Sequence, residues 1–255
     1  MAGRSLVLMY HGTPPDAPRS RYALNADRFR SHLELLQAHG WTVVSLGELL
    51  AGAHARPRTL AITFDDGYAD NFDGAFRPLL EHDMKATWFI TTSCIGGHAG
   101  WDGPPSQQNR MLTAEQIREM DSAGMEIASH SHTHPDFARL SHSEQAEEAR
   151  LSRSILEELL QHPISGFAYP YGRFGEETPR ILREAGYEWA CTTRSGWYRP
   201  EEDPYLVRRV TIFSEDTASH LARKLQFADN DVSWRRLAKY YACRIKDRAR
   251  FWGKP

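Results

Sequence analysis

Short apolar runs alternate along the chain with longer amphipathic stretches. Uninterrupted apolar runs between turn residues are typical of buried strands, whereas apolar positions repeating every three or four residues predict helices. Strands are predicted over Leu6–Tyr10, Trp41–Ser45, Thr59–Phe64, Lys85–Thr91, Met125–Ser129, Ser165–Tyr169, Glu188–Thr192 and Val207–Phe213. Helices are predicted over Ala26–His39, Asp70–His82, Ala114–Ala123, Ser143–Gln161, Glu176–Ala185 and Ala218–Gln226. This alternation predicts a parallel sheet covered by helices.

Residues that favour helix ends support these boundaries. Asn25 and Thr113 stand directly before predicted helices, where their side chains can accept a backbone N–H. Gly40, Gly124 and Gly186 follow predicted helices, at the position where a left-handed backbone commonly ends a helix.

Seven or eight strand–helix units in about 220 residues predict a complete or distorted barrel. In such barrels the reactive residues lie on loops at the C-terminal ends of the strands. Four groups of reactive residues occupy these positions, namely His11, Asp65-Asp66, His130–His134 and Pro170–Gly172. We therefore expect them to meet at one face of the barrel.

The composition is that of a soluble globular protein, with 41% hydrophobic and 25% charged residues. A net charge of -2 argues against nucleic acid as the main partner. Three scattered cysteines imply no disulfide framework and fit a reducing compartment. The first apolar run, Leu6–Tyr10, is too short for a signal-peptide core or a membrane span, so we expect a cytoplasmic protein.

The charge is unevenly distributed along the chain. From Arg223 to Pro255 there are ten Lys or Arg and three Asp, a local net charge of about +7. We therefore predict a catalytic barrel over residues 1–222 and a basic helical tail over 223–255. Basic and aromatic residues alternate between Trp234 and Trp252, a mixture that can lie on an anionic membrane. The alternative is a helix that packs on the barrel with a solvated basic face.

Asp65 and Asp66 end a predicted strand and are followed by Gly67. Adjacent carboxylates repel each other, so they persist where a cation or different environments separate their roles. A metal on one carboxylate would leave the other free to act as a base. The alternative is a simple Asp-Gly turn.

Three histidines, His130, His132 and His134, follow another predicted strand. His130 and His134 have a spacing that suits two ligands on a tight turn, whereas an extended segment would pair His132 with either neighbour. The loop could also be merely polar. Two imidazoles and one carboxylate, here Asp66, would leave open positions for water and substrate on zinc, cobalt, nickel or iron.

Three motifs together resemble the polysaccharide deacetylases, carbohydrate esterase family 4. They are Thr63–Gly67, His130–Pro135 and Phe167–Gly172, and the resemblance extends from about Leu6 to Phe213. The third motif and the pair Tyr10-His11 are most similar to the exopolysaccharide and poly-N-acetylglucosamine deacetylase branch.

The resemblance implies a distorted (β/α)7 barrel that removes N- or O-acetyl groups from sugars with one divalent metal. By this resemblance Asp65 is the general base, and the metal is held by Asp66, His130 and His134. The backbone amide of Tyr171 would help to stabilise the oxyanion.

Other residues are candidates for contact with the substrate. Pro170, Tyr171 and Arg173 belong to the third motif or follow it, and Trp101 lies in the insertion Cys94–Met111. A long loop at the active face is either a substrate wall or an exposed segment anchored by its tryptophan.

Two features depart from the family pattern. Ala168 stands where many relatives have an arginine that pairs with the base, and Leu206–Val210 lacks the late histidine that serves as general acid. His11 is therefore the candidate acid or substrate ligand, with His220 as an alternative.

The sequence thus predicts a metal-dependent deacetylase, most simply a zinc enzyme. Its expected substrate is an acetylated amino sugar, oligosaccharide or lipid-linked precursor in exopolysaccharide or cell-envelope synthesis, met in the cytoplasm or at the inner membrane. The alternatives are a deformylase or other C–N amidohydrolase, and a glycan-binding relative without turnover, which the two departures favour.

Overall fold

The computed structural model describes residues 5–16, 18 and 20–233. Its strands all pair in parallel within one sheet, in the order β7-β6-β5-β4-β3-β1-β8, with β2 also pairing with β3. They are β1 Leu6–Tyr10, β2 Thr42–Val44, β3 Thr59–Phe64, β4 Thr87–Ile90, β5 Glu126–Ser129, β6 Gly166–Ala168, β7 Trp189–Cys191 and β8 Val210–Thr211. The predicted α/β architecture with a parallel sheet is confirmed.

Helices connect the strands. They are α1 Ala26–Ala38, α2 Leu46–Leu50, α3 Arg77–Glu81, α4 Ala114–Ser122, α5 His142–Leu160, α6 Thr178–Glu184 and α7 Ala218–Phe227. Asn25 and Thr113 cap α1 and α4 through their side chains, as predicted. The three glycines predicted to end helices have φ values between 67° and 92°. This left-handed backbone conformation is strained for residues that carry a side chain.

Two helical segments differ from the prediction. Helix α2 was not predicted, although Ser45 and Glu48 form a capping box at its start. The helix predicted over Asp70–His82 begins instead as a π-helical turn, Phe72–Phe76, before α3. At its centre Gly74 packs so closely on the loop after β1 that a Cβ would lie 2.1 Å from the carbonyl oxygen of Thr13.

The end of the sheet is also more finely divided than the predicted strand Val207–Phe213. Val207 pairs with Cys191 at the end of β7, whereas Val210 and Thr211 form β8 and pair with β1. Residues 207–211 therefore pair with β7 at one end and with β1 at the other, and the sheet curls.

Apolar side chains form two clusters on the two faces of this curled sheet. The larger cluster lies between the sheet and the helices. The smaller cluster contains the strand residues that point to the opposite face of the sheet, such as Val7 between Leu6 and Leu8. Several members of the smaller cluster are small, among them Ala61, Ala128 and Ala168. Small residues at these positions leave room for a longer side chain among the strands.

The predicted boundary between residues 222 and 223 falls inside α7, whose Lys224 is buried. The division into barrel and tail stays a prediction, and most of the tail, including Trp234–Trp252, lies outside the described residues. Within the described ranges, no helix is both long enough and apolar enough to cross a membrane.

Candidate active site

A cavity of about 610 Å³ opens at the C-terminal ends of the strands. The groups predicted to meet there do so, because His11, Asp65, Asp66, His130 and His134 all line its wall. They come from the ends of β1, β3 and β5, which lie in the central part of the sheet.

Asp66, His130 and His134 form a compact, buried group. Each imidazole Nε2 lies 3.3 Å from Oδ1 of Asp66. One ligand atom from each residue falls within 4.8 Å of the others, and all three side chains are less than one-tenth exposed. The structure therefore brings together His130 and His134, the pair with the four-residue spacing.

The donor chemistry of this group fits a divalent metal. Nδ1 of His130 donates to the carbonyl oxygen of Ala168 at 2.8 Å, which leaves the lone pair of its Nε2 directed toward Asp66. In many metal sites, a hydrogen bond from the other ring nitrogen of a histidine ligand fixes the orientation and tautomer of the ring. Burial lowers the pKa of His134 despite the nearby Asp66, whereas Asp66 and Asp65 together raise the pKa of His130 despite its burial.

The loop that carries the two histidines is held by its own polar groups. The hydroxyl of Ser131 accepts the backbone N–H of His134 at 3.0 Å. Glu148 on α5 accepts the backbone N–H groups of His132 and Thr133, both at 2.9 Å. The His132 imidazole contacts Thr92 instead of Asp66, which excludes the alternative pairings through His132.

Four site residues other than glycine adopt a left-handed backbone. Their φ values are 74° at Asp66, 69° at Ser131, 61° at His134 and 58° at Tyr171. Such residues cost conformational energy and are retained where the surrounding structure requires them, often at functional sites. Here they let short loops turn two ligands and Tyr171 into one cavity.

Asp65 forms a buried ion pair with Arg209. Nη1 of Arg209 donates to Oδ1 at 2.5 Å and Nη2 donates to Oδ2 at 2.8 Å. Nε donates to the carbonyl oxygen of Thr192 at 3.0 Å, and the guanidinium lies 5.2 Å from the ring centre of Phe89. Both charged side chains are less than 5% exposed, so this two-pronged pairing fixes the carboxylate rigidly.

This pairing sets the protonation of Asp65. Burial alone would raise the pKa of its carboxyl, but Arg209 and then His130 outweigh that effect and hold the pKa below its ordinary value. The pKa of Asp66 is held well below its ordinary range, because the adjacent imidazoles of His130 and His134 outweigh the effect of its burial. Both carboxylates are therefore ionised near neutral pH.

Arg209 corrects the expectation drawn from Ala168. We expected the base to lack an arginine partner, but Arg209 supplies one from the segment that joins β7 to β8. Ala168 belongs to the smaller apolar cluster, which also contains Phe89, the residue whose ring the guanidinium contacts. The sequence held one signal for this: an arginine in the run Leu206–Val210 at an alternate, inward-facing position needs a buried counter-charge.

His11 stands at the end of β1 and lowers the pKa of both Asp65 and Asp66 electrostatically. Its carbonyl oxygen accepts from Nδ2 of Asn71 at 2.9 Å, and its imidazole packs against the tilted ring of Tyr22 at 5.1 Å between ring centres. The alternative acid, His220, instead helps to cap α7 through Thr217 and does not line the cavity. The role of His11 as acid stays a prediction.

The predicted substrate contacts fall at different depths. Trp101 stacks on His134 at 4.0 Å between ring centres, and Tyr171 meets the same imidazole edge-on at 4.6 Å. Both line the cavity, as does Arg173, which pairs with Asp136 at 2.9 Å. Pro170 is buried and does not line the cavity. Contact of these four residues with a substrate stays a prediction.

A match to a family model identifies the family of this chain. Residues 52–190, more than half of the chain, match the model described as polysaccharide deacetylase. The chain belongs to the polysaccharide deacetylase family. With the buried triad and its adjacent ion-paired carboxylate, this polysaccharide deacetylase is a metal-dependent hydrolase.

Solved structures and a curated relative agree with that assignment. The Streptococcus pyogenes deacetylase PplD in complex with acetate superposes with a TM-score of 0.77 and 25% identity over 89% of this chain and 99% of its own. IcaB from Ammonifex degensii gives a TM-score of 0.75 and 26% identity over 86% and 96%. A poly-beta-1,6-N-acetyl-D-glucosamine N-deacetylase of Staphylococcus aureus (strain MRSA252) is 24% identical over 80% of this chain and 72% of its own. The predicted distorted barrel is therefore confirmed as the seven-strand path of a polysaccharide deacetylase fold.

Proposed function

We propose that this polysaccharide deacetylase removes N-acetyl groups from an N-acetylglucosamine glycan. The observation that carries the proposal is the pair of neighbouring carboxylates with separate partners, Asp65 on Arg209 and Asp66 on the two histidines. The similarity to a poly-beta-1,6-N-acetyl-D-glucosamine N-deacetylase supports the choice of sugar.

The residues of the cavity can divide the chemistry among them. A divalent metal, which we propose to be zinc, would be held by Asp66, His130 and His134 and would supply a Lewis acid for the acyl oxygen. Asp65, ionised and fixed by Arg209, accepts the proton of the attacking water. His11 donates a proton to the departing amine, and the backbone amide of Tyr171 donates to the developing oxyanion.

Acetate release from β-1,6-linked N-acetylglucosamine oligomers tests the proposal. Zinc-loaded protein should release acetate, and Asp65→Asn should reduce kcat by about 100- to 10,000-fold because the general base is lost. Asp73→Asn is a matched control, since Asp73 is an exposed carboxylate paired with Arg77.

Two outcomes would contradict the proposal. Formate release from N-formyl sugars without acetate release would favour a deformylase of the same fold. Oligomer binding without turnover in the wild type would favour the glycan-binding alternative.

A separate experiment tests the choice of metal. Reloading metal-free protein with zinc, cobalt, nickel or iron in turn would identify the ion that gives the highest activity.

The predicted contact of the tail with a membrane concerns residues outside the described ranges. We propose that this segment brings the barrel to a lipid-linked glycan at the cytoplasmic side of the inner membrane. Sedimentation of the full chain with anionic liposomes at low salt tests this, and a protein that stays in the supernatant would exclude it.

A further inference from the structure

One wall of the cavity is built from aromatic residues that no step of the proposed reaction uses. We infer that Tyr22 forms a stacking subsite for the sugar unit next to the one that is deacetylated. The inference deepens the proposed function and rests on it. Tyr22 lies outside residues 52–190, so the family match does not include it.

The exposure of Tyr22 is the first observation. Among the described residues, four large hydrophobic side chains are classed as exposed: Tyr22 at 41%, Leu80 at 43%, Leu151 at 40% and Tyr171 at 52%. The two leucines stand on helices α3 and α5, but both tyrosines line the cavity. Exposed rings are therefore concentrated at the site, as they are in many ligand sites.

The ring of Tyr22 is held in place. It packs against His11 at 5.1 Å and Phe213 at 5.9 Å between ring centres, with interplanar angles of 31° and 41°. The Arg21 guanidinium lies over the ring of Phe213 at 4.5 Å. An aromatic surface that is already fixed loses little conformational entropy when a ligand packs on it.

The backbone on either side of Tyr22 is tied to the catalytic face. The carbonyl oxygen of Arg21 accepts the N–H of Ser214 at 2.8 Å, and the N–H of Leu24 donates to Gly12 at 2.9 Å. Gly12 directly follows His11, and Ser214 follows the loop that leaves β8. These hydrogen bonds connect the backbone around Tyr22 to the segments that follow β1 and β8.

The surroundings suit a neutral sugar. One face of a pyranose presents C–H groups that pack on an aromatic ring, while its hydroxyls require polar partners at the edge of the ring. Ser20, Arg21 and Asn230 line the cavity together with Tyr22 and Phe213 and provide such groups. The proposed reaction at the acetyl group uses the triad, Asp65, His11 and the backbone amide of Tyr171. The wall formed by Tyr22 and Phe213 is therefore available to a neighbouring unit of the glycan.

Oligomers of two to five N-acetylglucosamine units test the inference. If Tyr22 binds a neighbouring unit, kcat/KM of the wild type should rise with length, and Tyr22→Ala should flatten that rise. We expect a loss of about tenfold at the pentamer, equivalent to about 1.4 kcal/mol of binding free energy, and a smaller loss at the dimer. The loss should appear mainly in KM, and Tyr22→Trp should retain the length dependence.

Leu80→Ala is the matched control, because it removes a similarly exposed apolar side chain that does not line the cavity. It should leave the profile of the wild type unchanged. Equal losses for Tyr22→Ala at every length would overturn the inference and indicate a purely structural effect through His11. A wild type that releases no acetate from any oligomer would instead contradict the proposed function, and the inference with it.

Discussion

Two buried ion pairs lie on either side of strand β8 in the sequence. Arg209 directly precedes the strand and pairs with Asp65, which lines the cavity. Lys224 on α7 pairs with Asp216 and donates to the carbonyl oxygen of Thr211 at 2.7 Å, and neither member of this pair lines the cavity. The first ion pair therefore holds a carboxylate that lines the cavity, whereas the second connects helix α7 to strand β8 inside the protein.

The difference lies in what each pair leaves for other partners. Arg209 fixes Asp65 with two hydrogen bonds, yet the carboxylate still faces the cavity and can accept a proton there. The Asp216 carboxylate accepts hydrogen bonds from both the Lys224 ammonium and the backbone N–H of Phe213. These bonds stabilise the turn that leads into α7. Lys224 is fully buried, and this burial lowers the pKa of its ammonium despite the neighbouring Asp216.

Removing the carboxylate of the first pair should give the largest effect. In Asp65→Asn the general base is lost, and kcat should fall by about 100- to 10,000-fold while bound metal stays stoichiometric. Acetate release and metal analysis on the same sample measure both quantities. A variant that keeps its kcat would mean that another group takes the proton of water.

Breaking the second pair should act on stability instead. Lys224→Met leaves Asp216 buried without its counter-charge, which typically costs about 3–5 kcal/mol of unfolding free energy. Urea denaturation measures the loss, and kcat of the fraction that remains folded should equal that of the wild type. A large fall in kcat per folded molecule would show that the two pairs are not separate in function.

Arg209→Met should affect both properties, with the clearer result in the pH profile. Without the guanidinium, the desolvation of Asp65 is less opposed and its pKa rises, so the acid limb of kcat against pH should move to higher pH. At neutral pH we expect a loss of about 10- to 100-fold, because the carboxylate is also less well placed. Unfolding should be affected less than in Lys224→Met, since water can reach Asp65 through the cavity.

Tyr10→Phe should give the smallest effect. The Tyr10 hydroxyl hydrogen-bonds with Nδ1 of His32 at 3.0 Å, and burial lowers the pKa of His32 to about 4, so that ring is neutral. Removing the hydroxyl leaves a buried nitrogen unpaired and should cost about 1–3 kcal/mol of unfolding free energy. His11 directly follows Tyr10 in the chain. An unchanged kcat would therefore show that the buried contact between Tyr10 and His32 does not affect the chemistry in the cavity.

Local signals in the sequence were sufficient for most of the fold. Apolar runs located the strands, and capping side chains at Asn25 and Thr113 located two helix starts. Asp66, His130 and His134 could be grouped because all three follow strand ends, and strand ends of a parallel sheet share one face. What could not be predicted depends on contacts between distant segments.

Arg209 illustrates that limit. Its partner is 144 residues away, and nothing in the run around it distinguishes it from Arg208 except their alternate positions in the predicted strand Val207–Phe213. Arg208 pairs instead with Glu202 at 2.8 Å on the outside. The π-helical turn at Phe72–Phe76 is similar, because it follows from the close approach of Gly74 to Thr13 and not from local propensity.

The pairing of β1 with β8 has a consequence for the surroundings of the base. Asp65 and the three metal-binding candidates lie within residues 52–190, whereas His11 directly follows β1 and Arg209 directly precedes β8. The two strands are neighbours in the sheet although they lie near opposite ends of the described chain. The base therefore owes its charged neighbours to a contact between distant ends of the chain, whereas the metal-binding candidates come from the strands in between.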